Sequence, residues 1–435
     1  MGKDPHLIAS NQLSKAEKLY KARQYKKAGK TFGLAAHSYT QLEDFNVAKN
    51  CHINAANCFM EIEKYKEYMR HMRSAAGALL IMEDYFNAHQ LYREALEHAS
   101  RLRSSGDQQN IYLLFSTLSY LCLFTKSRQE EGLNFLKKIQ KKIDSSYFKE
   151  HGLVQLVTNL TIALRDHNRK FFERALNSIE HHDFTVYEKD LTKKVFLIVN
   201  TLLSLESQVK LDKEQYTTNE MIGLNLQLNS EPLVKIFKDS FYNFDLTEFQ
   251  ISKVSLHLTD NFTSSKKPEL PMILNLGTLH DLDFVIKPHF QLENPLIGPL
   301  DLTCEVNSNL VFVYTTSSIK PNLTSPPALL DVSIKNLRPP LLDQTFPLEI
   351  LVENKSEGDA SDIKIEVEFP DQLRLMRGTT VKQIYSLRIN EKMDWEINLK
   401  PIEAGDYIIK IKLNFNDQDQ NPMEMIKEFP FSITL

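Results

Sequence analysis

The chain has 435 residues and a mass of 50.3 kDa, too long for one ordinary compact core, so two or three domains are expected. A hydrophobic content of 42% and a charged content of 25% exclude wholesale disorder and a membrane-embedded chain. Only 13 glycines are present, which argues against the phosphate-cradling loops of nucleotide enzymes, and a net charge of −4 argues against a polyanion binder.

The charge is unevenly divided. Residues 1–240 hold 34 Lys+Arg against 28 Asp+Glu and the rest 18 against 28, or +6 followed by −10. This change of sign marks a candidate domain boundary. Cys51, Cys58, Cys122 and Cys304 are too few and too scattered for a disulfide framework and suit a reducing, cytoplasmic compartment. The first twenty residues lack the apolar stretch of a signal peptide, and the uncharged window from Gln108 to Thr125 reads as a buried helix, not a membrane span.

A repeat of twenty residues organises positions 25–104. Tyr25, Phe45, Tyr65 and Tyr85 align, and Ala28, Ala48, Tyr68 and Ala88 follow three positions on. Ala35-Ala36, Ala55-Ala56, Ala75-Ala76 and Ala95-Leu96 recur in the same register. Offsets of 0, 3, 7, 10, 14 and 17 fall on one face of a helix, while offsets 5, 9 and 12 are mostly polar and point away. Each unit therefore predicts one amphipathic helix of about seventeen residues closed by a short turn such as Glu43-Asp44 or Glu83-Asp84. Stacked hairpins of this kind make an α-solenoid, expected to occupy residues 1–240. Helical periodicity continues from Tyr112 to Phe124, Leu153 to Leu164 and Val195 to Leu205.

The segment from Tyr25 to Tyr65 resembles the soluble NSF attachment proteins and their tetratricopeptide-like relatives, and its forty-residue hairpin favours the former. Beyond Asn243 the period becomes two, and most of the 17 prolines lie after residue 260. Two strand-rich units are expected, at 244–325 and 328–435, with a proline-stiffened linker from Lys320 to Pro327. The second unit resembles immunoglobulin-like β-sandwiches on the evidence of Asn354, Gly358, Gly405 and Tyr407, and Trp395 is expected in its core. A helical solenoid followed by such sandwiches is similar in layout to subunits of the TRAPP tethering complexes. That resemblance implies a vesicle-tethering or membrane-trafficking role within a multisubunit complex, peripheral at membranes.

Sites of chemistry are harder to find. Metal-site, serine-hydrolase, P-loop and dinucleotide motifs are missing from the sequence. Cys51-His52 with Cys58, and His181-His182-Asp183, fall short of a zinc ligand set and read as core and turn residues. No cofactor, metal or nucleic-acid partner is expected. Gly29-Lys-Thr-Phe-Gly33 reads as close helix packing. Asn50, Asn54 and Asn57, with Lys30 and Arg70 at equivalent offsets, are candidates for gripping a peptide backbone or carboxylate if neighbouring helices present them together. Lys137, Lys138, Lys141 and Lys142 offer a cationic turn for an acidic partner or anionic lipid. The sequence thus predicts a non-enzymatic interaction scaffold. The competing reading is an enzyme, or an enzyme's regulatory subunit, with its site in the solenoid groove; an open groove would suit a scaffold and a closed cleft an enzyme.

Overall fold

A computed structural model describes residues 4–143, 146, 149–218, 220–289, 294–324, 326–335 and 340–434. The helical region comes first: α1 (Pro5–Lys21), α2 (Tyr25–Gln41), α3 (Phe45–Met60), α4 (Tyr65–Ile81), α5 (Tyr85–Ala99), α6 (Ser105–Phe124), α7 (Gln129–Gln140), α8 (Gly152–Arg165), α9 (Arg169–Ser178) and α10 (Val186–Ser204). The twenty-residue repeat sets the helix ends. Arg23, Glu43, Glu63 and Glu83, spaced twenty apart, all adopt positive φ of 55 to 59° and reverse the chain. Asp44 and Asp84 then cap the next helix by accepting bonds from Val47 N and Asn87 N, each at 3.2 Å.

Each of α1 to α6 packs on its successor in the chain. The aligned alanines at 28, 35, 36, 48, 55, 56, 75, 76, 88 and 95 have no exposed surface, and they allow this close approach. Gly29 does the same between α2 and α3, where a Cβ would stand 3.0 Å from Phe59 Cε2. The polar offsets are exposed as the repeat predicts, except Gly77, which Tyr187 covers.

The cause of that exception is α10, which turns back across α4, α6 and α8. It is fastened by an ion pair that the repeat alone does not announce. Arg73 Nε and Nη2 donate to the two carboxylate oxygens of Glu188 at 2.8 and 2.6 Å, and Glu188 is 1% exposed. Tyr92 Oη donates to the same carboxylate at 3.3 Å, and Arg73 also donates to the Asp183 carbonyl at 2.8 Å. Thr185 and Glu188 close the start of α10 with a reciprocal capping box.

The chain changes to strands at Glu206, well before the expected boundary near residue 240. β1 (Glu206–Leu211) and β3 (Ile222–Asn229) alternate inward and outward residues along their length. The sole helix in this stretch among the described residues is the five-residue α11 (Leu233–Phe237). β2 (Tyr216–Thr217), β4 (Phe249–Leu258), β5 (Phe262–Lys266), β6 (Met272–Ile273), β7 (Leu279–Pro288), β8 (Ile297–Val306), β9 (Leu310–Thr315) and β10 (Leu323–Thr324) complete the first strand region. Two antiparallel sheets are ordered β1-β3-β7-β5 and β6-β4-β8-β9. Part of the expected linker is therefore paired, since β10 joins β2 in parallel. Ser325 of that linker lies outside the described residues.

One hydrophobic core runs continuously from Ala56 on α3 to Leu323 on β10. Helices and strands are joined at the end of α6, where Val311 N donates to Thr125 O at 2.8 Å and Lys126 Nζ to Asn309 O at 2.7 Å. Glu83 receives Lys194 Nζ at 2.7 Å on one oxygen and Asn309 Nδ2 on the other, tying α10 and β9 to the turn after α4.

The second strand region has its own core of residues from Ala328 to Ile433. Its strands are β11 (Leu330–Lys335), β12 (Phe346–Asn354), β13 (Ala360–Glu368), β14 (Leu373–Arg377), β15 (Val381–Leu387), β16 (Lys392–Pro401), β17 (Gly405–Asn416) and β18 (Pro422–Ile433). They form two four-stranded antiparallel sheets, β11-β12-β16-β14 and β15-β13-β17-β18. Buried Asn354 bonds the Gly358 and Leu387 carbonyls at 2.8 and 3.0 Å, Tyr407 Oη donates to Glu403 O at 3.2 Å, and Trp395 is 8% exposed.

Replacing Arg73 with Leu leaves the Glu188 carboxylate buried without its cation, which is expected to cost about 3 kcal/mol. Chemical denaturation followed by far-ultraviolet circular dichroism checks this: the midpoint must fall clearly, and an unchanged midpoint contradicts the role given to the pair.

Candidate docking grooves

The five residues expected on one surface are divided between two. All of Lys30, Asn50, Asn54, Asn57 and Arg70 are exposed. Gly33 of α2 lies against His71 of α4, where a Cβ would stand 2.9 Å from Cε1, so the even-numbered helices α2 and α4 meet on one side. On α3, His52 reaches this side, its Nδ1 3.2 Å from His71 Nδ1. At 100° per residue the asparagine stripe lies about 140 to 200° around α3 from His52. It therefore faces away from the side that carries Arg70. The polar stripes of successive helices point outward from opposite layers, and equal offsets in the repeat do not mean a shared surface.

Arg70 instead belongs to an open groove of about 480 Å³ between α4, α6 and the entry to α10, lined by Lys66, Met69, Arg73, Asp107, Ile111 and Asp183, among others. Lys66 and Asp107 are 3.3 Å apart across it. Arg73, locked on Glu188, forms part of its wall. Arg70 has no ion-pair partner among the described residues.

A larger open groove, about 730 Å³, runs between α5, α6 and α7. Gly132 sets the α6–α7 contact beside it: a Cβ there would stand 2.7 Å from Tyr120 Cδ2, so α7 settles closely on α6. Leu96, Tyr112 and Phe135 supply apolar wall, and Arg93, Glu97, Lys138 and Lys142 supply charge. A neighbouring groove of about 480 Å³ shares Arg93, Phe135 and Lys138 and adds His89, Glu130 and Glu131. Two of the four predicted lysines, Lys138 and Lys142, thus line a groove, while Lys137 and Lys141 are exposed outside it. Arg93, Lys138 and Lys142 have no ion-pair partner among the described residues, so an incoming carboxylate meets cations that need not first be released. The repeat had placed Arg93 in no site; its offset of eight beside the polar positions was the available signal.

The remaining candidate chemistry is internal. Cys51 and Cys58 are buried, and burial pushes both thiols up to about 11. Cys304 is raised to about 12 for the same reason. His71 stacks on Phe59 with ring centroids 5.4 Å apart. Burial lowers His52 and His71 to about 4, with the nearby Arg70 acting in the same direction on both and His71 and His37 adding to it for His52. His182 packs over Gly152, and the Asp183 carbonyl is engaged by Arg73. Among the described residues no group of three or more His, Cys, Asp or Glu side chains is placed to hold a metal ion. No described helix is long and apolar enough to cross a membrane. No family model matches the chain, and no curated protein matches it.

The histidine pair makes stability depend on pH. Unfolded histidines titrate near about 6.5, whereas His52 and His71 hold out to about 4 when folded. Between these values the unfolded state binds more protons, so stability is complete above about 6.5 and falls as the pH drops toward 4. Denaturation midpoints from pH 7.5 to 4.5 check this, with a shallower fall expected in the H52Q/H71Q variant than in the parent chain.

Proposed function

We propose that this chain is a non-enzymatic interaction scaffold. In this reading the helical region is an α-solenoid of the kind found in soluble NSF attachment and tetratricopeptide-like proteins, and the strand regions are immunoglobulin-like sandwiches. The layout fits a subunit of a membrane-trafficking or vesicle-tethering complex.

The observation that carries the reading is the α5–α7 groove. It is open, it combines apolar wall with cations free of ion pairs among the described residues, and no residue of α10 lines it. Such a surface suits an amphipathic protein segment with carboxylates beside its apolar residues. The even-numbered side is partly filled by the chain's own α10, leaving the Arg70 groove as a smaller second contact. Anionic membrane contact falls to Lys137 and Lys141, the exposed pair at the end of α7 that lines neither groove.

The test compares the intact chain with R93E/K138E/K142E as bait in native lysate, read by quantitative mass spectrometry. A stoichiometric partner retained by the parent and depleted about ten-fold or more by the variant is expected. Equal retention by both baits removes the groove from the account. If no protein is enriched above background, the scaffold reading fails and a small-molecule role becomes the one to pursue.

A further inference from the structure

The second strand region has two lateral sides, and they are treated differently. On one side β11 and β18 end their sheets, and Lys427 Nζ joins them by bonding Asp331 Oδ1 at 2.9 Å and Val332 O at 2.6 Å. Lys410–Glu428 at 2.9 Å and Lys412–Glu424 at 2.5 Å neutralise the cations beside β18. The charges on this side are satisfied within the chain.

The other side is open. β14 and β15 end the two sheets there and follow each other through Gly378, Thr379 and Thr380. Leu375, Met376, Val381, Tyr385 and Ile389 are all exposed, Tyr385 at 88% the most exposed large apolar side chain among the described residues. Arg374, Arg377, Lys382 and Arg388 surround them, exposed and without an ion-pair partner among the described residues. Residues 341–434 contain 11 Lys+Arg and 18 Asp+Glu, yet residues 373–389 hold four of those cations and none of the carboxylates. A basic, apolar edge is thus set into an acidic domain.

We propose that the β14–β15 edge binds an extended peptide rich in carboxylates alternating with apolar residues, which adds as a strand along β15. An edge strand directs alternate N–H and C=O groups outward, and from Lys382 to Ser386 no described residue bonds to the outward side. Tyr385 and Val381 give the incoming strand apolar contact, and the four cations select its carboxylates. A second copy of this chain is disfavoured as the occupant, because edge-to-edge pairing would bring two sets of four cations together. This surface is separate from the helical grooves, so it stands whether or not they bind a partner.

The test pans displayed random peptides of about twelve residues against the full chain, then measures recovered synthetic peptides by fluorescence anisotropy and hydrogen exchange. Acid-rich alternating sequences are expected, with slowed exchange across residues 381–387. Their affinity should fall about ten-fold or more for R374E/R377E/K382E/R388E and also fall for Y385S. All five replaced side chains are exposed, and an unchanged melting temperature for each variant verifies the fold. The proposal is overturned if no peptide is recovered, if recovered peptides are not acidic, if the charge reversal leaves affinity unchanged, or if protection appears elsewhere. It is also overturned if the parent chain binds phosphatidylserine vesicles through these cations while no peptide protects β15, or if it dimerises through this edge.

Discussion

The contact between Arg73 and Glu188 joins residues 115 positions apart and decides what the helical region can do. A buried carboxylate is tolerated only when its charge and its lone pairs are satisfied. Here Arg73 meets it with two bonds, Tyr92 with a third, and the Thr185 backbone N–H with a fourth. This arrangement fixes α10 across α4, and the Lys194–Glu83 pair repeats the attachment farther along the same helix. Because Glu83 also holds Asn309, the position of α10 is passed on to β9 and so to the first strand region. The two sides of the hairpin stack thereby become unequal. One is partly covered by α10, and the other keeps the α5–α7 groove open.

Much of the helical architecture was legible in the sequence because its information is local and periodic. Tyr25, Phe45, Tyr65 and Tyr85 mark helix starts, and the small alanines between them favour the helix and let neighbouring helices pack closely. The strand corner built on Asn354 and Gly358 was legible for a similar reason, since a buried amide bonding nearby carbonyls leaves a short sequence signature. Sequence alone did not reveal which layer a polar stripe would face. Asn54 and Arg70 occupy the same kind of position on their own helices, yet the interlayer packing sends them to opposite surfaces. The start of the strands was also misplaced. ESQVKL and IGLNLQLN carry the period of two, but the charge boundary and the clustered prolines point to residue 240 instead.

The candidate sites follow the same division between local and non-local information. Lys138 and Lys142 are visible as part of a cationic turn, and α7 and the turn after it bring them to a groove, with Gly132 letting that helix approach Tyr120. Their neighbours Arg93 and Tyr112 come from α5 and α6, and only the packing brings the three helices together. The open edge at β14 and β15 depends on topology as well. Its residues are contiguous in sequence, but their being terminal strands of two different sheets is fixed by the order of all eight strands.

The central claim is that α10 makes the helices and the first strand region one body, leaving the second strand region to fold around its own core. Hydrogen exchange read by mass spectrometry along a denaturant series tests this directly. The account predicts that α4–α10 and β1–β9 lose protection in one transition and β11–β18 in another. Loss of protection in α4–α10 while β1–β9 remain protected, or the reverse, would contradict it.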